Sequence, residues 1–492
     1  MNLQTLRRDI PAGLVVFLVA LPLCLGIAQA CGLPPFVGLL TGVVGGLVVT
    51  TFSPSKFAVS GPAAGLVTIV TGEIESLGSF SALLLALIVA GVLQFMLGVV
   101  RAGRFISLVP GSVIKGMLAA IGILLIIQQI PVALGAAGEN DLASLLTGSA
   151  LNISLPAMAV ALSGLLVLWL WTTAAVKKSR WLGWMPGPLV AVLLGCLATV
   201  FGGRLFPELA GNLPRISLPA LDSITSLTGE LQRPDWMAWQ NPAVYMVAVT
   251  LALVASLETL LSQEALQKIR VQHPAPSPDK ELRAQGIGNA LCGFLGGLPI
   301  TAVIVRSSVN VGAGAQSKLS ILIHGLLLLI CGLWFSGLLN AIPLASLAAV
   351  LLYTGYKLAS PGLFVSQIRQ GTQQSVPFFA TIGGILIFGM LAGIAIGFIT
   401  QILFSTWRSQ RNAMMLTRYD DHYVLRFQQN LNFMHNPRLK GLLAQIPENS
   451  VVIVDHDNAE YLDPDVTAVL QEFGDEAQQR GIQLTHWPVK LA

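Results

Sequence analysis

Across 492 residues the chain is 54% hydrophobic and only 11% charged, with a mean hydropathy of +0.73. Soluble domains carry charge on about a quarter of their residues. The composition therefore excludes a soluble enzyme or a nucleic-acid-binding protein and predicts a polytopic membrane protein; the net charge of +4 informs only through where its basic residues fall.

The first apolar run, 10–30, follows Arg7 and Arg8 as a signal peptide would. More apolar runs follow at once and Ala30-Cys31-Gly32 is a weak cleavage site, so it reads as a first span. Further spans are predicted over 34–51, 80–100, 112–134, 152–175 and 186–202. Between the second and the next full span lies "SKFAVSGPAAGLVTIVTGE". It reads as an extended piece over 56–59, then a half-length helix over 61–73 that starts at Gly61, with Ser60 as its N-cap and Pro62 in its first turn. Lys115, near a helix start, reads as an interface lysine whose amine reaches the surface, ahead of the alternative of a substrate ligand. The 201–241 segment reads as an ordered external cap.

The second half repeats the pattern, with spans over 242–263, 281–298, 316–338, 342–357, 374–388 and 390–406 and a short piece over 304–315. "LALVASLETLLSQEAL" places Glu258 deep in an apolar stretch, with Ser262 four residues on and on the same helical face. "GGLPITAVIVRSSVN" gives a Gly/Pro break, an extended piece over 300–303 and a short helix carrying Arg306. His324 reads as a bonded core histidine.

Fourteen segments put both chain ends on one side. Arg7, Arg8, Arg101, Arg104, Lys177, Lys178, Arg180, Lys268, Arg270, Lys280, Arg283, Lys357, Arg369, Arg408 and Arg411 all fall on that side, which makes it the cytoplasm of a plasma (inner) membrane protein. Glu73, Glu75, Glu139 and Asp141 fall opposite. The five cysteines, Cys24, Cys31, Cys196, Cys292 and Cys331, lie in or beside apolar runs with no CxxC spacing and read as packing residues.

After Arg411 the greasy runs stop, which divides the chain into a membrane domain, 1–411, and a cytoplasmic domain, 412–492. "HYVLRF", "SVVIVDHD" and "IQLTHW" read as strands, while "PRLKGLLAQI" and "PDVTAVLQEFGDEAQQRGI" have helical spacing. The result is a small α/β domain, with Asp455, His456 and Asp457 at a strand end and the loop after it.

Interrupted segments at matching places in two halves point to the central site of an inverted-repeat transporter. The span order turns the two half-helix N-termini toward each other. Each carries about half a positive charge and unpaired amides, so together they favour an anion. Arg306 adds a full charge there, or it pairs with a structural carboxylate or reaches out to the membrane surface. Glu258 has three available roles: binding a coupling cation, carrying a proton, or neutralising Arg306.

These residues resemble the SulP anion transporter family, relatives of the solute-carrier sulfate, bicarbonate and chloride transporters. The stretches that carry the resemblance are "RRDIPAGLVVFLVALPLCLGIAQACGLPPFVGLLTGVVGGLVV", "KFAVSGPAAGL", "LVPGSVIKGMLAAIGI", "LVASLETLLS" and "LPITAVIVRSSVN"; the tail is similar to a shortened STAS domain. The resemblance implies a 7+7 inverted repeat, with a core (spans one to four and eight to eleven) moving as an elevator against a gate domain, and a homodimer. It implies substrate positions at Ser60, Gly61, Ala63 and Ala64 on span three, and at Ala302, Val303, Ile304, Val305 and Arg306 on span ten. It implies a coupling-ion site at Glu258 and Ser262, with Ala302 and Ile304 beside them and sodium as the candidate ion.

The chain departs from the family pattern in three places. Val303, Ile304 and Val305 replace the small or hydroxyl residues of many members, glutamate stands for aspartate at 258, and "DHDNAEYLDPD" lacks the serine of true STAS loops. The leading expectation is secondary transport of a small inorganic anion, bicarbonate ahead of sulfate, because one arginine and two dipoles balance a monovalent ion better than a dianion. The alternatives are a proton-coupled sulfate or dicarboxylate carrier and a non-transporting sensor or scaffold. No nucleophile, base and orienter set for an enzyme is present.

Overall fold

The computed structural model describes residues 3–106, 109–135, 154–173, 185–205, 213–218, 231–420, 422–459 and 461–487, with 176 and 229 as isolated positions. Glu139, Asp141, Lys177, Lys178, Arg180 and residues 206–212, 219–228 and 230 of the expected 201–241 cap lie outside the described residues. The chain divides into two compact units, Met1–Arg369 with Phe378–Ile396, and Gln370–Pro377 with Gly397–Ala492.

Each of the fourteen expected membrane segments overlaps a helix. They are α1 (Leu3–Ala30), α2 (Pro35–Phe52), α3 (Val67–Leu77), α4 (Phe80–Val99), α5 (Gly111–Ala133), α6 (Leu155–Leu170) and α7 (Gly187–Leu205), followed by α8 (Pro242–Ile269), α9 (Pro278–Leu295), α10 (Ile304–Gly312), α11 (Leu319–Trp334), α12 (Leu344–Leu358), α13 (Thr372–Phe388) and α14 (Met390–Asn412). By length and composition, α1, α2, α4, α5 and α8 are each long and apolar enough to cross a bilayer, and α6, α7, α11 and α14 contain shorter apolar runs. Local chemistry sets several of the boundaries. Ser79, Asn241 and Ser277 cap α4, α8 and α9 through their side chains, and Pro242 and Pro278 take first-turn positions where no amide is needed. Gly296, at φ +85°, ends α9 and turns the chain toward the site.

The helices pack as two groups. In one, α1 lies against α2 and α11, and α4 lies against α8 and α9; in the other, α12 packs on α5 and α6, and α6 on α7. Small residues allow the close approaches expected where lipid supplies no hydrophobic drive. A Cβ on Gly293 of α9 would lie 2.7 Å from the Leu84 carbonyl of α4, and one on Gly286 would lie 2.6 Å from that of Gly91.

Between α2 and α3 the backbone is a strand. β1 (Ser60–Pro62) pairs antiparallel with β2 (Ile300–Ala302), with Ser60 opposite Ala302, Gly61 opposite Thr301 and Pro62 opposite Ile300. This corrects three expectations. Ser60 is not an N-cap, Gly61 does not begin a helix, and Pro62 is not in a first turn; the helical path begins with a 3-10 turn at Ala64–Leu66. The paired strand is Ser60–Pro62, directly after the extended piece expected over 56–59. Ile300 and Thr301 are β-branched and favour an extended partner, and pairing two broken segments satisfies backbone groups that have no water to bond.

In the second unit a four-stranded sheet runs β3 (Met414–Tyr419), β4 (His422–Phe427), β5 (Val451–Asp455), β6 (Gln483–Trp487), with β3 antiparallel to β4 and the other pairs parallel. The crossovers are α15 (Asn436–Leu443) and α16 (Pro464–Gln479), and Leu425, Phe427, Val452, Val454, Val466 and Phe473 form its core. The strands and helices expected in the tail are present. β3 was not anticipated.

Candidate functional site

The strand pair is held by side chains from around it. Ser307 Oγ accepts from the Val59 amide (2.9 Å), Thr259 Oγ1 from Ala302 (3.2 Å), Asn289 Oδ1 from Ile300 (2.6 Å) and Thr41 Oγ1 from Leu298 (2.7 Å). The Val303 amide donates to the Val59 carbonyl at 2.9 Å. A polar ladder on α9 supports this arrangement from behind. Buried Glu281 accepts from Ser53 (2.6 Å), Gln263 (3.2 Å) and Gln285 (2.9 Å), and Gln285 also donates to Ser60 Oγ (2.8 Å).

Because the strands are antiparallel, α3 leaves the pair from one end and α10 from the other. The first-turn amides of Ala64 and Gly65, and of Ile304, Val305 and Arg306, have no intrahelical acceptor, and neither helix start has a side-chain cap. Both starts border one cavity of about 290 Å³. Ala64, Gly65, Glu258, Ser262 and Val303–Val305 line it from the first helical group; Lys115 and Thr354 line it from the second. Glu258 lies against Gly65, where a Cβ would sit 2.8 Å from Oε1, and its Oε2 has no hydrogen-bond partner among the described residues. Glu264 and Lys268, largely exposed and 2.8 Å apart, line the same cavity.

Six of the residues singled out from sequence therefore share one cavity: Ala64, Glu258, Ser262, Val303, Ile304 and Val305. Ser60, Gly61, Ala63, Ala302 and Arg306 do not line it. Ser60 and Ala302 are committed to the bonds given above. Arg306 is fully buried behind the strands, beside Cys24, and donates from Nη2 to the Pro62 carbonyl at 3.2 Å. Its Nε and Nη1 have no hydrogen-bond partner among the described residues, and no ion pair joins it to Glu258, so the counter-charge role considered for Glu258 has no contact behind it. His324 is buried as expected but not bonded, since both ring nitrogens lack partners among the described residues.

Sequence reasoning passed over Gly65 and Thr354, and it assigned Lys115 to the interface. It also missed the α9 ladder, although polar residues at 281, 285 and 289 recur every four positions inside an apolar span.

The sequence profile of the sulfate permease family matches residues 6–381. The chain belongs to the sulfate permease family. It is an anion transporter of that family and not an enzyme. It is 29% identical over 437 residues to YvdB of Bacillus subtilis, a protein named for sulfate transport, covering 86% of this chain and 78% of YvdB. It is 26% identical over 419 residues to the bicarbonate transporter BicA of Synechocystis, covering 82% and 70%. Among solved structures, the transmembrane domain of a cyanobacterium BicA superposes with a TM-score of 0.67 at 24% identity, covering 82% of this chain and all but 2% of that one (98%). The murine anion transporter Slc26a9 in its inward-facing state gives 0.77 at 15% identity, covering 99% and 86%. Sulfate permease family membership and these folds agree with the 7+7 helical architecture expected from the sequence.

Proposed function

We propose that this family member is a secondary transporter of a small inorganic anion, bicarbonate ahead of sulfate, coupled to sodium or protons. The observation that carries the reading is the convergence of two uncapped half-helix starts on one cavity that also holds Glu258, whose Oε2 has no hydrogen-bond partner among the described residues. The amides of Ile304, Val305, Ala64 and Gly65 supply donors for the anion, and the Arg306 charge acts through the strand pair without touching it. With Val303, Ile304 and Val305 in the wall, hydroxyl donors are few, which suits a planar monovalent oxyanion better than a tetrahedral dianion. Glu258 and Ser262, one helical turn apart, hold the coupling sodium ion or proton.

Transport in this reading is an elevator movement of the α3/α8/α10 group against the α5/α12 group, since the cavity lies between them. Its mouth lies where α5 begins and α8 ends, the side that the basic residues assign to the cytoplasm. Both chain ends, the STAS-like tail and the membrane-domain boundary near residue 411 belong to that side of the plasma membrane, and the working unit is a homodimer, which native mass measurement in detergent tests.

Uptake of labelled bicarbonate and sulfate into proteoliposomes, with sodium and pH gradients imposed in turn, tests substrate and coupling together. Uptake of neither anion under any gradient overturns this choice of substrates. Faster sulfate than bicarbonate uptake favours the second reading, a sulfate carrier, which the identity to YvdB supports.

A further inference from the structure

Four charged side chains line the cavity: Lys115, Glu258, Glu264 and Lys268. Glu264 and Lys268 neutralise each other at 2.8 Å. Lys115 makes no hydrogen bond or ion pair among the described residues, and it is half-buried, one helical turn after Gly111, which lines the same cavity. With Arg306 withdrawn behind the strands, Lys115 is the unpaired cation among the described cavity-lining residues.

We propose that Lys115 binds the transported anion and sets its affinity on the cytoplasmic face alone. This rests on the transport reading above and adds a ligand to it. Lys115 rides on α5, in one helical group, while the amides of Ile304 and Val305 ride on α10, in the other. An oxyanion at those amides meets the ammonium across the cavity, so its charge is balanced from both walls. Displacement of one group against the other separates α10 from α5, and the ammonium then stays behind. The affinity gained from Lys115 is therefore present when the cavity faces this side and absent after the shift. A lysine that only reaches for lipid headgroups gives no such asymmetry.

The test measures KM for labelled bicarbonate and sulfate in intact cells, which present the outer face, and in everted vesicles, which present the cytoplasmic face. Lys115→Met is expected to raise KM about tenfold in everted vesicles, the effect of removing one charge across a partly hydrated cavity, and to leave KM in cells unchanged. Lys115→Arg keeps the wild-type value on both faces, and thermal melting of the purified variants shows that both fold. A KM raised equally on both faces, on the outer face only or on neither overturns the proposal while the transport reading stands. A wild-type protein that moves neither anion overturns both.

Discussion

Gly61 and Arg306 meet through the strand pair: any side chain at position 61 would collide with Nη1 of the arginine. The glycine is required for space, because its backbone is extended and its neighbour is a guanidinium that donates to the very next carbonyl, that of Pro62. Gly61→Ala is expected to destabilise the membrane domain by about 1–3 kcal/mol, as overpacking of a tight interior does. A lower melting temperature of the purified variant, with reduced anion uptake, is the expected result. An unchanged melt shows that Arg306 has room to move.

Arg306 is fully buried and does not line the cavity, and in the proposed reading it acts on the anion by its charge alone. A unit charge acting over roughly 8 Å at an effective dielectric constant near 20 is worth about 2 kcal/mol to an anion. Arg306→Ala is expected to cut uptake by at least about tenfold while the protein still folds, and Arg306→Lys is expected to recover part of the loss. If Ala and Lys variants transport like the wild type, the arginine is structural only.

Glu258 carries an oxygen with no hydrogen-bond partner among the described residues and lies one turn from Ser262 in the same cavity. Glu258→Gln keeps the shape and removes the charge. Uptake by this variant is expected to become insensitive to both sodium and the proton gradient. Dependence that persists in proteoliposomes assigns coupling to another group.

In the tail domain the Asp455 carboxyl is held below the usual carboxylate range, first by the Asp457 amide on Oδ1 (3.0 Å) and then by Arg426 on Oδ2 (2.7 Å). A lowered value in the folded state means that the stabilisation is complete above the unfolded value near 3.8 and is lost as pH falls through the lower, folded one. Arg426 is more than half exposed, so its share is screened. Asp455→Asn is expected to cost about 1 kcal/mol at neutral pH, read as faster hydrogen exchange in residues 451–457. The difference from wild type is expected to shrink below pH 3.8; a constant difference across pH removes the charge from the account.

Much of the architecture was legible in the sequence because the bilayer permits so few backbones. Apolar runs of sufficient length form helices, and a Gly/Pro break such as "VSGPAAG" or "GGLPITA" has to be buried against something that bonds it. Glu258 and Ser262 were legible for the same reason, since four-residue spacing fixes a shared helical face. The strands were less so. A three-residue extended piece leaves almost no periodic signal, and whether Ser60 caps a helix or pairs with Ala302 depends on a partner 242 positions away.

By itself, then, the sequence determined the helical segments, the two interruptions and the residue types available to hold an anion, because those follow from local hydropathy and backbone chemistry. Only the tertiary structure decided which charges face the cavity. It turned Arg306 behind the strand pair and aimed Lys115 into the space from a separate helix. Side-chain direction across a packed interface is set by what the opposite wall leaves open, and no spacing along one chain segment encodes that.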